Sequence, residues 1–241
     1  MIKTLYRNWL LIRLVIGPIL VLKRTIIYYK SSIEELRNTF IKEGFVPLPS
    51  LSKKELSLLR ADCERELREV LKAGSSVNGR KFKDHAWTKT TQLFDKKYRP
   101  FAAKMLNSSN VRLELVYYQI SKPEKSSFDV PGGNFHTDFN RENLKIFIYL
   151  SNVNKNTGPL ALYFPTQSMV GRFFRWTFLE VFQNSTKLLY KRIGGNLKKG
   201  KEVLLLGKAG SVFGINTTEF HKANIIKSGK RQVFVLSYLT H

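Results

Sequence analysis

The 241-residue chain carries a single cysteine, Cys63. One thiol excludes an internal disulfide framework and a cysteine-rich zinc site, and it suits a reducing compartment. Acidic residues are also scarce: 18 Asp and Glu stand against 41 Lys and Arg, for a net charge of +23. That balance excludes an acidic solvating protein and points to an anionic partner, whether nucleic acid, an anionic membrane surface or a phosphorylated substrate. Histidines are few as well: His85, His136, His221 and His241. There is no repeat, low-complexity tract or clear linker. No apolar run reaches the roughly 20 residues of a spanning helix. What is present is otherwise ordinary, with 43% hydrophobic and 24% charged residues, the composition of a globular chain long enough to bury a core.

The positive charge is unevenly spread. Residues 1–33 contribute +6 with no acid, residues 34–142 contribute +5, and residues 143–241 contribute +12 with only Glu180, Glu202 and Glu219 as acids. The amino-terminal stretch is also the most apolar, with a 14-residue run at 9–22 broken by Arg13 and Gly17-Pro18. No small-x-small cleavage site follows it, which argues against a signal peptide. Residues 1–30 therefore read either as a basic interfacial anchor in the headgroup region or as a helix packed on the domain formed by residues 31–241. The expected location is cytoplasmic, peripheral on the membrane if the anchor reading holds.

Along the chain, Ser32-Ile33-Glu34-Glu35 and Ser52-Lys53-Lys54-Glu55 are capping-box patterns. They predict a helix over 33–43 and another from Ser52 to Gly74, with Leu56, Leu59, Cys63, Leu67 and Val70 on its apolar stripe. Cys63 is thus a buried filler rather than a nucleophile. A further helix is expected over 96–106. After residue 110 the pattern changes to short apolar or alternating runs at 113–120, 144–150, 160–164, 203–206, 211–215, 223–226 and 232–239, separated by turn residues such as 154–159. One helical interruption is expected at 171–192. The reading is an α+β fold, mainly β, a sandwich or barrel led by helices.

His136-Thr137-Asp138 places an imidazole and a carboxylate two residues apart, and on a strand such residues share a face. Two histidines and one carboxylate form the facial ligand set of non-haem Fe(II) oxygenases. His221 would supply the third ligand, and Arg231 enters another apolar strand beyond it. Spacing alone is a weak signal and leaves a surface loop histidine at 136 and a satisfied strand-end histidine at 221 open.

The ordered set around these residues carries more. Asn134-Phe135-His136-Thr137-Asp138, then Leu144-Lys145-Ile146-Phe147-Ile148-Tyr149-Leu150, then Asn156-Thr157-Gly158-Pro159-Leu160, resembles the phytanoyl-CoA dioxygenase family. So do Gly210-Ser211-Val212-Phe213, His221 and the run from Gly229-Lys230-Arg231 to Ser237-Tyr238, with Phe40 to Pro49 similar to that family's leading helix and strand. The resemblance covers about residues 33–239. It implies a double-stranded β-helix, a jelly-roll barrel, that binds Fe(II) and the co-substrate 2-oxoglutarate, uses O2, and releases succinate and CO2. It further implies that His136, Asp138 and His221 hold the metal and that Arg231 pairs with the far carboxylate of 2-oxoglutarate, a role suited to a planar guanidinium fork. Tyr118 and Lys89 match positions where family members touch the co-substrate, beside the plainer readings of a core aromatic and a solvated lysine. Retention of Asp138, which related halogenases replace, favours hydroxylation. Residues 165–169, Pro-Thr-Gln-Ser-Met, depart from the family's usual turn, and Arg231-Gln232-Val233 lacks the serine found two residues after the arginine in some other oxygenases.

The segment after residue 170 combines Phe173, Phe174, Trp176, Phe178 and Phe182 with Lys187, Lys191, Arg192, Lys198, Lys199 and Lys201. Such a mixture suits an anionic amphiphile or a membrane surface, stacked nucleic-acid bases, or a helix that plugs the barrel mouth. The expected substrate is a lipid, a lipid-linked glycan or another anionic small metabolite. An oxygenase acting on nucleic acid or protein, and a non-enzymatic barrel, are the alternatives.

Overall fold

Ser52 starts the first well-defined helix, as its capping box requires. The fold is that of a computed structural model, which describes residues 39–40, 43–72, 77–82, 87–123, 135–136, 138, 143–165, 200–217 and 219–240. Helix α1 spans Lys53–Lys72. The Ser52 hydroxyl accepts from the Glu55 N–H at 3.2 Å, and the Glu55 carboxylate accepts from the Ser52 N–H at 2.9 Å. Leu59, Cys63 and Leu67 recur every fourth residue and are all buried. Burial pushes the Cys63 thiol up to about 12, which keeps it protonated and inert, as expected of a filler.

Helix α2 spans Lys89–Met105, so it begins before the 96–106 anticipated. The reason is Thr88, whose side chain accepts from the Thr91 N–H at 3.0 Å and caps the helix early. Its inner stripe is Phe94, Tyr98, Ala102 and Met105.

The strands are β1 (Phe45–Leu48), β2 (Val77–Phe82), β3 (Val111–Ser121), β4 (Asn143–Tyr149), β5 (Leu160–Pro165), β6 (Gly200–Leu205), β7 (Val212–Asn216), β8 (Phe220–Ala223) and β9 (Arg231–Thr240). They form a six-stranded sheet in the order β1-β7-β4-β9-β3-β2 and a three-stranded sheet in the order β6-β5-β8. Every strand pair is antiparallel. Strand β2, with Asn78, Gly79, Arg80 and Lys81 in it, has no apolar pattern and was not anticipated. The run expected at 223–226 instead forms β8 earlier, at Phe220–Ala223, because His221 lies inside the strand rather than before it.

Strands β4, β7 and β9 of the large sheet are buried on both faces, which is why they read as continuous apolar runs. Leu144, Ile146, Ile148, Phe234, Leu236 and Tyr238 pack with the helices. The intervening Phe147, Tyr149, Val233 and Val235 pack with Leu160, Leu162 and Leu205 of the small sheet. The Tyr149 hydroxyl also donates to the Leu205 carbonyl at 2.8 Å, tying one sheet to the other. Two facing antiparallel sheets with supporting helices make the double-stranded β-helix expected of the chain.

Of the helix anticipated over 33–43, residues 39, 40 and 43 are described and are helical. The segments 1–30 and 171–192 lie outside the described residues. Among the described residues, no helix is long and apolar enough to cross a membrane.

Candidate metal centre

Backbone pairing brings the expected ligands together. His136 and His221 form an isolated antiparallel bridge, each donating its N–H to the other's carbonyl at 2.9 Å. Asp138 donates its N–H to the Thr217 carbonyl at 2.9 Å, just beyond β7. The segment that carries the first two ligands is thus fastened to the β7–β8 turn and to β8, which carries the third.

The side chains converge as a result. Ligand atoms of His136, Asp138 and His221 all lie within 4.8 Å of one another. Asp138 Oδ2 is 3.3 Å from His221 Nε2, and Oδ1 is 3.7 Å from His136 Nε2. His221 Nδ1 lies 3.0 Å from the Glu219 carbonyl oxygen. A carbonyl can only accept, so His221 holds a proton on Nδ1, and a metal ion would take Nε2 in place of the proton that otherwise joins that nitrogen to Asp138. Burial alone would raise the Asp138 pKa. The hydrogen bond and charge of His221, together with Lys145, outweigh it and hold the carboxyl well below the usual carboxylate range. Lys145 Nζ donates to Asp138 Oδ2. Burial opposes the lysine's charge, but Tyr117 and Asp138 raise its pKa above the ordinary value. An ionised carboxylate and two imidazoles, close together and partly open, are a donor set that fits Fe(II).

A cavity of about 70 Å3 runs from His136 and His221 to Arg231. Its wall takes alternate residues of three strands: Tyr117 and Gln119 from β3, Lys145, Phe147 and Tyr149 from β4, and Arg231 and Val233 from β9. Arg231 is 4% exposed. Its guanidinium donates to the Gly158 carbonyl and, at 3.5 Å, to the Ser121 hydroxyl, while the buried Nε has no hydrogen-bond partner. Burial depresses its pKa, with Tyr149 and Tyr117 opposing, yet a guanidinium stays charged. A buried cation with an unmatched donor and no carboxylate partner among the described residues fits an incoming anion. Gly158 sits at φ +71°, and a Cβ there would lie 2.5 Å from Ile226 Cγ1 and 2.6 Å from the Asn224 carbonyl oxygen. Only glycine lets that carbonyl approach Arg231 so closely.

Four of the six residues singled out in the sequence, His136, Asp138, His221 and Arg231, therefore share one region. Tyr118 and Lys89 do not. Tyr118 is fully buried on the helix side of β3, with its hydroxyl donating to Asp62 at 2.7 Å and its ring 4.6 Å from Phe234. Its neighbours Tyr117 and Gln119 face the cavity, so the expectation was displaced by one residue, and one residue in a strand is the other face. Lys89 is exposed in the first turn of α2 and does not line the cavity. Lys145, Tyr117, Gln119 and Tyr149 were missed. A lone lysine inside the apolar run 144–150 was the signal available for Lys145.

No family model matches the chain, and no curated protein matches it. Solved structures of the same fold do. The epimerase SnoN, in complex with Fe3+, alpha ketoglutarate and nogalamycin RO, aligns at a TM-score of 0.59 and 17% identity, over 85% of this chain and 82% of its own. The non-haem alpha ketoglutarate-dependent carbocyclase SnoK aligns at 0.56 and 17%, over 88% and 85%. EctD from S. alaskensis with bound Fe aligns at 0.58 and 15%, over 86% and 77%. At such identities the likeness establishes the fold. The class so defined is a double-stranded β-helix with a two-histidine, one-carboxylate site at one end of its cavity.

Proposed function

We propose that the protein is an Fe(II)- and 2-oxoglutarate-dependent dioxygenase that hydroxylates an aliphatic C–H of a lipid, a lipid-linked glycan or another anionic small metabolite. The observation that carries this reading is the placement of His136, Asp138 and His221 within 4.8 Å at one end of a cavity whose other end is the buried Arg231. The resemblance of the ordered motifs quoted above to the phytanoyl-CoA dioxygenase family supports a reading as a member of that kind within the class.

When bound, iron and 2-oxoglutarate supply an O2-dependent oxidation that releases succinate and CO2. The chain supplies position and electrostatics. His136, Asp138 and His221 hold the metal, with Glu219 fixing the His221 tautomer. Arg231 holds the far carboxylate of the co-substrate. Phe147, Leu160 and Val233 keep the wall between them apolar and exclude water. The +12 charge of residues 143–241 favours an anionic substrate, and the basic apolar residues 1–30 favour a cytoplasmic protein peripheral on an anionic membrane.

The test is a turnover screen against lipid, glycan and nucleotide pools. Succinate is expected only with iron, 2-oxoglutarate and substrate present, and His136→Ala is expected to abolish it. Turnover retained in that variant refutes the assignment. Liposome binding lost on deletion of residues 1–30 supports the membrane reading, whereas steeply salt-dependent binding of DNA or RNA redirects the substrate to nucleic acid. Failure to bind one Fe(II) per chain under anaerobic conditions would leave a non-enzymatic barrel.

A further inference from the structure

The proposed site holds one cationic side chain that the reading above leaves without a role. Lys145 lies within β4, a strand in which every residue is buried, and its side chain is 10% exposed. Its register partners are Ile215 on β7 and Ser237 on β9, neither of them an acid. Its counter-ion is Asp138, and it contacts Oδ2, the same oxygen that faces His221. A buried ammonium needs a counter-ion, and removing that partner is strongly unfavourable. Lys145 therefore competes for the carboxylate that the metal requires.

The charges make the consequence definite. Asp138, Lys145 and Arg231 together carry one surplus positive charge. A divalent ion alone raises that surplus to three, in a buried region where like charges interact strongly. A dianion such as 2-oxoglutarate restores it to one, with its far carboxylate for Arg231 and its other carboxylate available to Lys145.

Resting on the Fe(II)/2-oxoglutarate reading, we propose that Lys145 is a positioning residue that opposes metal binding to the empty site and couples it to binding of the dianionic co-substrate. Lys145 guards Asp138 until an anion enters the cavity to receive its ammonium.

Mn(II), which is redox-silent under the assay conditions, is the probe, with its Kd measured by electron paramagnetic resonance on the full chain with and without 2-oxoglutarate. In the wild type, 2-oxoglutarate is expected to tighten Mn(II) binding by about tenfold or more. Lys145→Met is expected to bind Mn(II) about tenfold more tightly without 2-oxoglutarate, and its tightening by 2-oxoglutarate should fall below about threefold. Lys145→Arg, which keeps the charge, should keep the coupling. Circular dichroism melting checks that each variant is folded, and Lys145→Gln replaces the methionine variant if that one is not. Mn(II) affinity in the neutral variant no greater than wild type, or coupling left intact, overturns the inference alone. A wild type that binds no Mn(II) in either condition overturns the metal reading itself and the inference with it.

Discussion

Replacing Arg231 by methionine separates a ligand-holding role from a structural one, because only the second predicts a large loss of stability in the free protein. The guanidinium is 4% exposed, donates to the Gly158 carbonyl and the Ser121 hydroxyl, and keeps an unpartnered Nε. Hydrogen bonds to charged groups contribute about 1.5–3 kcal/mol each. Losing two of them from a bound carboxylate, less what methionine recovers in apolar contact, weakens co-substrate binding by about 3 kcal/mol, or about 150-fold at 1.4 kcal/mol per decade. In the free protein the terms nearly cancel. Removing an incompletely paired buried cation gains about 1–4 kcal/mol, while the deprived Gly158 carbonyl loses about 1–3 kcal/mol. The free variant should therefore melt within a few degrees of wild type, since 1 kcal/mol corresponds to about 2–4 °C in a domain of this size. Calorimetric titration of 2-oxoglutarate into Mn(II)-loaded protein gives the affinity, and thermal melting with and without 2-oxoglutarate gives both stabilities. At about 100 times its Kd the co-substrate should stabilise wild type by about 2.7 kcal/mol and the variant hardly at all. A variant affinity within about threefold of wild type, about 0.7 kcal/mol, would refute the reasoning. So would a free variant destabilised by more than about 3 kcal/mol, which would make Arg231 a brace for the 158–160 turn.

Two further substitutions test the surroundings. Tyr118→Phe removes the hydroxyl that donates to Asp62 and should lower stability by about 1.5 kcal/mol in denaturant titration while leaving 2-oxoglutarate affinity unchanged. A changed affinity would return Tyr118 to the site. Glu55 is held at about 2 by Lys97 and the Ser52 cap, below its ordinary 4.5. A depressed carboxylate stabilises the fold above its unfolded pKa and loses that contribution as pH falls through the folded one. Glu55→Ala should thus cost about 1 kcal/mol at pH 7, and melting curves of variant and wild type should converge between about pH 4.5 and pH 2. A gap that is constant with pH would show that the cap, not the charge, accounts for it.

Much of the architecture was legible because its strands are buried on both faces and its helices carry explicit caps. The runs at 144–150, 211–215 and 232–239 became β4, β7 and β9 with small changes at their ends. Ser52 and Glu55 marked α1 correctly. What failed was side-chain polarity, which composition cannot register in a strand buried on both sides. Tyr117 and Tyr118 are the same residue type, and only the pairing of β3 with β9 decides which faces the cavity. Strand β2 was missed because the four residues between Val77 and Phe82 are not apolar and it is held at the sheet edge by β3 alone. The grouping of His136, Asp138 and His221 was legible from their ordered setting. Lys145 was not, since an isolated lysine in an apolar run reads as a blemish until its counter-ion is located.

The paired main-chain bonds between residues 136 and 221 carry a consequence for how such a site changes over generations. Main-chain hydrogen bonds of this kind are indifferent to the side chains above them. The frame that brings two distant stretches of chain together is therefore inherited separately from the imidazoles it displays. A lineage can exchange one ligand and still pass on the vacant position with its shape intact. Chemistry on this scaffold is thus open to revision by single replacements, with the barrel itself left undisturbed.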